Sequence, residues 1–310
     1  MVETLQSVEQ SINIPIPYGA WPILLTPFQA DGSLDLTGLD NLLDFYAKIQ
    51  VPGILALGQA SEVLALTNEE RFTIARRVAE HSKDLFCTVA VGNFGDTLDD
   101  QAASLNRIFE FGIRVPLVAL SILPSPHDLD EQLITLAKKL SFPLGLYEMP
   151  EPEHRLLNAA QVQRIAHSKR FMFMKDTCRE VEPFTAKVKA ARGTPLKIFQ
   201  ANLKILPPSL DVGCHGFCGW MPIVAPELSA QVCDLAGTPS EIRNQAYQKL
   251  MELQSFMVEQ GFPASAKYIL QKRGVNLSTR CRVSAPDRFT SQNTAALDRF
   301  LARQDWFATI

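Results

Sequence analysis

An alternation constrains this chain more than any other feature. Short apolar runs at residues 21–26, 54–57, 85–91, 115–120, 144–147, 171–175, 196–199 and 216–220 are separated by stretches with helical spacing. The runs are continuously apolar rather than alternating, the pattern of strands buried on both faces of a parallel sheet. Helical patterns cover 34–49, 101–111, 128–140, 158–167 and 181–192, and another starts after Thr67. Thr67 with Glu70 forms a capping box, and Asn158 is a helix cap. Residues 202–206 read as a short helical turn ended by Pro207 and Pro208. Eight strand–helix units in roughly 220 residues fit an α/β fold, a (β/α)8 (TIM) barrel. A doubly wound dinucleotide-binding sheet would show a glycine-rich loop after its first strand, and Thr26-Pro27-Phe28 stands there instead.

After Pro226 the alternation stops. Residues 227–235, 241–260, 263–273 and 292–302 are helical in pattern. The expected organisation is a barrel with its lead-in over 1–226 and a C-terminal helical extension over 227–310 packed on it.

Composition narrows the function classes. Thirty Lys and Arg against 33 Asp and Glu give a net charge of -3, so no nucleic-acid partner is expected. The dense basic stretch 267–282 is broken by apolar residues and reads as a solvated surface or interface. No apolar run approaches the roughly 20 residues that span a bilayer. Glu3 comes early without a basic-then-apolar start, and Cys281 lies too far inside for a lipidation signal. The six cysteines are scattered without zinc-like spacing and read as reduced thiols of a cytoplasmic protein. His81, His127, His154, His167 and His215 form no paired motif, so no metal and no cofactor are expected.

Barrel enzymes work at the C-terminal ends of their strands. That selects Thr26, the segment Gly58-Gln59-Ala60-Ser61-Glu62, Tyr147, Lys175 and residues 216–220. Lys175 ends an otherwise apolar run, and strand alternation puts Phe171, Phe173 and Lys175 on one face. Poor solvation over aromatic rings favours the neutral amine, which attacks a carbonyl to form a Schiff base. A strand-end lysine that snorkels to solvent has the same pattern. Tyr147 ends the preceding strand and can exchange a proton during that chemistry, although a core tyrosine reads the same. The small residues of 58–61 let backbone N–H groups approach a carboxylate, with Glu62 orienting the loop from behind.

Together these residues resemble the dihydrodipicolinate synthase and N-acetylneuraminate lyase family of class I Schiff-base aldolases, over about residues 18–300. The landmarks are Thr26-Pro27-Phe28 with Asp31-Gly32 and Asp35, then Gly58 to Glu62 with Leu66-Thr67 and Glu69-Glu70-Arg71. Tyr147 with Pro150, Lys175-Asp176, the 213–216 segment leading to Pro226, and Lys267 with Gly274 and Arg282 complete them. The resemblance implies a Lys175 imine with pyruvate or a similar 2-oxo acid, proton shuttling by Tyr147, and carboxylate binding at Gly58, Gln59, Ala60 and Ser61. It also implies that the Cys218 carbonyl lines the pocket, that Thr26 and Glu62 orient the site, and that the chain forms a homo-tetramer or homo-dimer.

The departures matter as much. The family's loop usually reads Gly-Thr-Thr-Gly-Glu, and here Gln59, Ala60 and Ser61 replace its middle residues. The family's second tyrosine has no counterpart within Leu120 to Leu123. The arginine that clamps the synthase's second substrate has no match near Pro152, and Arg155 is displaced in register. Alternation from Tyr147 turns Glu148 away from the pocket. The implied activity is therefore a Schiff-base lyase that is not the synthase. Cleavage or formation of a C–C bond in a 2-oxo acid comes first, dehydration of a 2-oxo sugar acid second, and a non-catalytic barrel that binds a 2-oxo acid third.

Overall fold

In the computed structural model, which describes residues 14–285 and 288–304, the apolar runs form one parallel sheet of eight strands. They are β1 (Gly19–Ala20), β2 (Gly53–Ala56), β3 (Cys87–Val91), β4 (Val115–Ala119), β5 (Leu144–Tyr147), β6 (Phe171–Asp176), β7 (Lys197–Gln200) and β8 (Gly216–Phe217). The order is β1-β8-β7-β6-β5-β4-β3-β2. A parallel bridge between Ile23 and Leu55 joins the two ends, with Leu24 N–H donating to the Leu55 carbonyl at 2.8 Å. The sheet thus closes into the expected (β/α)8 barrel. Glu3 and the polar opening up to residue 13 lie outside the described residues.

A helix follows each strand. They are α1 (Leu36–Ile49), α2 (Asn68–His81), α3 (Leu98–Glu110), α4 (Leu129–Lys139), α5 (Ala159–His167), α6 (Val181–Ala190), α7 (Leu206–Asp211) and the short α8 (Met221–Val224). Four more come after the barrel: α9 (Pro226–Asp234), α10 (Glu241–Glu259), α11 (Ala264–Lys272) and α12 (Ser291–Leu301). The caps at Thr67 and Asn158 form as the sequence predicts, each with its reciprocal partner three residues on.

Inward-facing aromatic rings fill the barrel. Trp21, Phe173 and Phe199 pack with ring centroids 4.8–5.4 Å apart. Gly53 makes room for them, because a Cβ there would lie 2.5 Å from the Trp21 ring. The floor beneath the C-terminal mouth is therefore solid and apolar, and anything that binds must do so above it.

Four expectations need correction. The first strand pairs from Gly19, two residues early, because Pro22 has no N–H to continue a ladder. The third begins at Cys87, after Asp84 has turned the chain through a left-handed conformation. Pro207 and Pro208 open α7 rather than ending a turn, since first-turn N–H groups need no intrahelical acceptor. The basic stretch 267–282, read as a solvated surface or interface, is solvated only in part, as at Lys272. Lys267 is fully buried against Glu62, Arg273 pairs with Glu227, and Arg282 pairs with Glu70.

Candidate active site

Tyr147 and Lys175 are register partners at the tips of β5 and β6, so both side chains enter the barrel above the aromatic floor. Lys175 Nζ lies 4.3 Å from the centroid of the Tyr147 ring, over its face. The two residues are 2% and 3% exposed. Among the described residues Lys175 Nζ has no hydrogen bond and no ion pair. The other two buried lysines differ sharply, since Lys187 and Lys267 both sit against carboxylates at 2.6–3.0 Å. A buried ammonium is ordinarily paired, and Lys175 is the exception.

The segment after β2 makes a 3₁₀ turn over Gln59–Ser61. Leu57 and Glu62, at its two ends, both hold positive φ, of 56° and 60°. Side chains rarely adopt that conformation, and such strain clusters at working loops. Ser61 N–H donates to the Gly58 carbonyl at 3.0 Å, Glu62 N–H donates to that of Gln59 at 2.9 Å, and Gly58 N–H donates to Ser61 Oγ at 3.1 Å. The N–H groups of Gln59 and Ala60, at the start of the turn, have no acceptor within it. A Cβ on Gly58 would lie 3.9 Å from Tyr147 Cε1, so the loop abuts the tyrosine.

The remaining predicted residues divide between lining and support. Thr26 Oγ1 donates to the Ser61 carbonyl at 2.6 Å, and Ser61 Oγ donates to that of Leu24 at 2.5 Å. Both hydroxyls therefore stitch the loop to the segment after β1, and the Ser61 proton is committed there. Glu62 is buried behind the loop. Its carboxylate accepts from Lys267 Nζ at 3.0 Å, Arg282 N–H at 2.6 Å and Val283 N–H at 2.9 Å. Cys218 continues β8 with its N–H on the Gln200 carbonyl. Burial pushes its thiol up to about 11, opposed by the nearby Lys175 charge.

The loop after β4 is held from both sides. Asn93 bonds the Ala119 backbone through its N–H and its carbonyl, and Gln101 donates to the Ile122 carbonyl at 2.8 Å. Arg155 donates to the carbonyls of Leu120, Leu123 and Ser125 and pairs with Glu153. Its guanidinium is committed to the protein. Gln59 Oε1 and Ser121 Oγ are buried without a partner.

Behind the site is a cluster that sequence reading missed. Glu148 points out of the barrel, as alternation predicts, and meets Lys187 of α6 at 2.6 Å. Lys187 also meets Asp176 at 2.7 Å. Burial and the Asp176 charge push the Glu148 carboxyl above its ordinary value, while Lys187 opposes the shift. Burial works against the Lys187 ammonium, and the two carboxylates outweigh it and hold its pKa above the ordinary value. A signal was present: Phe184, Lys187 and Val188 share the buried face of α6 at helical spacing.

The histidines stay apart from this chemistry. His154 is exposed and reaches Thr177 Oγ1 at 2.7 Å, and His215 bonds the Ile16 carbonyl. Among the described residues no cluster of His, Cys, Asp or Glu could hold a metal ion, and no helix is long and apolar enough to cross a membrane.

Residues 17–294 match the model of the dihydrodipicolinate synthetase family. The chain belongs to that family. It is similar to the 4-hydroxy-tetrahydrodipicolinate synthase of Moorella thermoacetica, at 25% identity over 81% of this chain and 87% of the relative. The synthase of Xanthomonas campestris pv. campestris is 25% identical over 91% of this chain and 96% of its own length. Among solved structures, YagE from Escherichia coli K12, a prophage protein of the dihydrodipicolinic acid synthase family seen in complex with pyruvate, aligns with a TM-score of 0.81. That alignment has 22% identity and covers 92% of this chain and 98% of YagE. N-acetylneuraminate lyase from Fusobacterium nucleatum aligns at 0.82, with 16% identity over 93% and 99%. At such identities these structures speak for the fold.

Proposed function

We propose that this member of the family is a Schiff-base lyase acting on a 2-oxo acid, with Lys175 as the imine-forming amine. The observation that carries this reading is the unpaired, buried Lys175 amine against the Tyr147 ring. The amine adds to C2 of the 2-oxo acid, and the carbinolamine loses water to give a protonated imine. Tyr147 supplies and receives the protons. The free N–H groups of Gln59 and Ala60 receive the C1 carboxylate, with the Cys218 carbonyl also lining the pocket. As a base takes the proton of a C4 hydroxyl, C4 becomes the carbonyl of a departing aldehyde. The C3–C4 pair forms the C2=C3 bond, and the iminium nitrogen takes up the C=N pair to leave an enamine. Protonation at C3 and hydrolysis then release pyruvate or a pyruvate-like product and return the amine. Fixed backbone donors over a dry aromatic floor supply much of the stabilisation.

The second substrate differs from that of the synthase relatives in this reading. Arg155 is committed to Leu120, Leu123, Ser125 and Glu153 and is not free to clamp a second carboxylate. The unpartnered Gln59 Oε1 favours a substrate that carries a hydroxyl or N–H donor beyond C3 over a wholly apolar one. A purely binding barrel would use Lys175 only as a counter-ion to the carboxylate and would form no covalent adduct.

Borohydride reduction in the presence of pyruvate, followed by intact mass and peptide mapping, tests the reading. A reduced adduct on Lys175 is the expected result. Folded protein that traps neither pyruvate nor any longer 2-oxo acid would overturn it.

A further inference from the structure

We propose that Lys187, Glu148 and Asp176 form a positioning clasp that sets Tyr147 against Lys175. The inference rests on the reading of Lys175 as the imine-forming amine.

Chain order makes the first argument. Glu148 directly follows Tyr147, and Asp176 directly follows Lys175. Because side chains alternate along a strand, the tyrosine and lysine enter the barrel while the two carboxylates face α6. A single nitrogen, Lys187 Nζ, bridges the carboxylates at 2.6 and 2.7 Å. The tips of β5 and β6 are thereby joined from behind, one residue from each group of the pair.

Every carboxylate oxygen of the cluster also has a donor. Glu148 Oε1 accepts from Leu157 N–H at 2.9 Å, and Glu148 Oε2 accepts from Thr177 N–H at 3.2 Å. Asp176 Oδ1 accepts from Cys178 N–H at 2.8 Å. Glu148 N–H donates to the Lys175 carbonyl at 3.1 Å, and Thr177 Oγ1 donates to that of Glu148 at 2.6 Å. A buried network in which every carboxylate oxygen has a donor favours one geometry.

Stability alone does not explain such a cluster. Well-packed apolar residues in place of buried ion pairs are often as stable or more so. Geometry is needed here, because the β5–β6 ladder shifts register between Leu144 and Gly145. Backbone pairing is irregular at one end of these strands, and the clasp pins the other. Misplacement of a reacting group by about 1 Å can cost a hundredfold in rate.

The main test variant is Glu148→Gln, which keeps the side chain's shape and leaves Lys187 paired with Asp176. Lys187→Met is the harsher companion. Circular dichroism and thermal melting establish that each is folded. With pyruvate and borohydride, Glu148→Gln is expected to lower the trapping rate at saturating pyruvate about tenfold or more. The half-saturating pyruvate concentration should stay within about twofold, because the carboxylate loop lies on β2. A merely structural role would lower the melting temperature and leave the rate per folded molecule unchanged, which overturns the proposal. Acetylation of Lys175 by acetic anhydride, relative to exposed Lys83, needs no 2-oxo acid. Wild-type protein that traps nothing would sink the Schiff-base reading alone. A changed Lys175 acetylation ratio in Glu148→Gln would then support the clasp, and an unchanged ratio would overturn it.

Discussion

A lysine amine enclosed in a protein interior either pairs with a carboxylate or is held for another purpose. Lys187 and Lys267 take the first course, and Lys175 has only the face of Tyr147. The proposed chemistry separates the two members of this pair. Lys175→Met should abolish the borohydride adduct with pyruvate altogether, as read by intact mass. Tyr147→Phe keeps an aromatic face for the ammonium and removes only the hydroxyl. It should leave Lys175 able to form the adduct, with trapping slowed roughly 10²–10⁴-fold, the usual contribution of a positioned acid–base group. Gly58 admits a third prediction at this scale. A Cβ there would come 2.8 Å from Leu55 Cδ2 and 3.2 Å from Ile23 Cγ2, so the buried Leu55 side chain or the loop would have to shift. Gly58→Ala should raise the half-saturating pyruvate concentration about tenfold, from about 1–3 kcal/mol of crowding. Unaltered pyruvate saturation would remove the loop from the carboxylate site.

At the scale of elements, the start of α2 is tied to the C-terminal segment through a forked pair. Arg282 donates to both oxygens of Glu70, at 2.6 and 2.8 Å, and also to the Gly32 and Ala65 carbonyls. The Arg282 hydrogen bond lowers the Glu70 carboxyl from the ordinary 4.5 to about 2. A depressed folded-state pKa gives stability that is complete above the unfolded value and lost as pH falls toward the folded one. Glu70→Gln keeps the capping box with Thr67 and removes the charge. Urea unfolding should show the variant less stable by about 2–3 kcal/mol at pH 7, with the gap closing between pH 4.5 and 2. A pH-independent gap would mean that the pair contributes shape rather than charge. Strands and helices were mostly legible because each is an apolar run or an apolar stripe, and Lys175 was legible because it breaks such a run. The missed features depend on partners distant in the chain. Lys187 sits on an apolar helix face, but its two carboxylates lie on other elements. Lys267 reads as surface until α11 is packed onto the loop after β2. The prolines of α7 read as a stop because only the fold shows that they open a helix.

Across the whole molecule, the barrel's mouth is braced from two sides by buried lysine–carboxylate contacts. Lys187 with Glu148 and Asp176 stands behind Tyr147 and Lys175, and Lys267 with Glu62 stands behind the loop after β2. Lys267 comes from α11, and Glu62 also accepts from the backbone of Arg282 and Val283. The C-terminal region thus holds a loop more than 200 residues earlier in the chain. Removing one partner of a buried pair leaves the other uncompensated, typically at about 3–5 kcal/mol. Lys267→Met should fall at the low end of that range, because two backbone donors still meet the Glu62 carboxylate. The functional consequence should be the reverse of that for Glu148→Gln. With the loop loosened and β5 and β6 untouched, pyruvate should saturate Lys267→Met at higher concentration. The trapping rate at saturation should change little, and the acetylation of Lys175 should match wild type. If the saturating rate falls with unchanged affinity instead, the two braces do not act on separate halves of the site, and the mouth moves as one body.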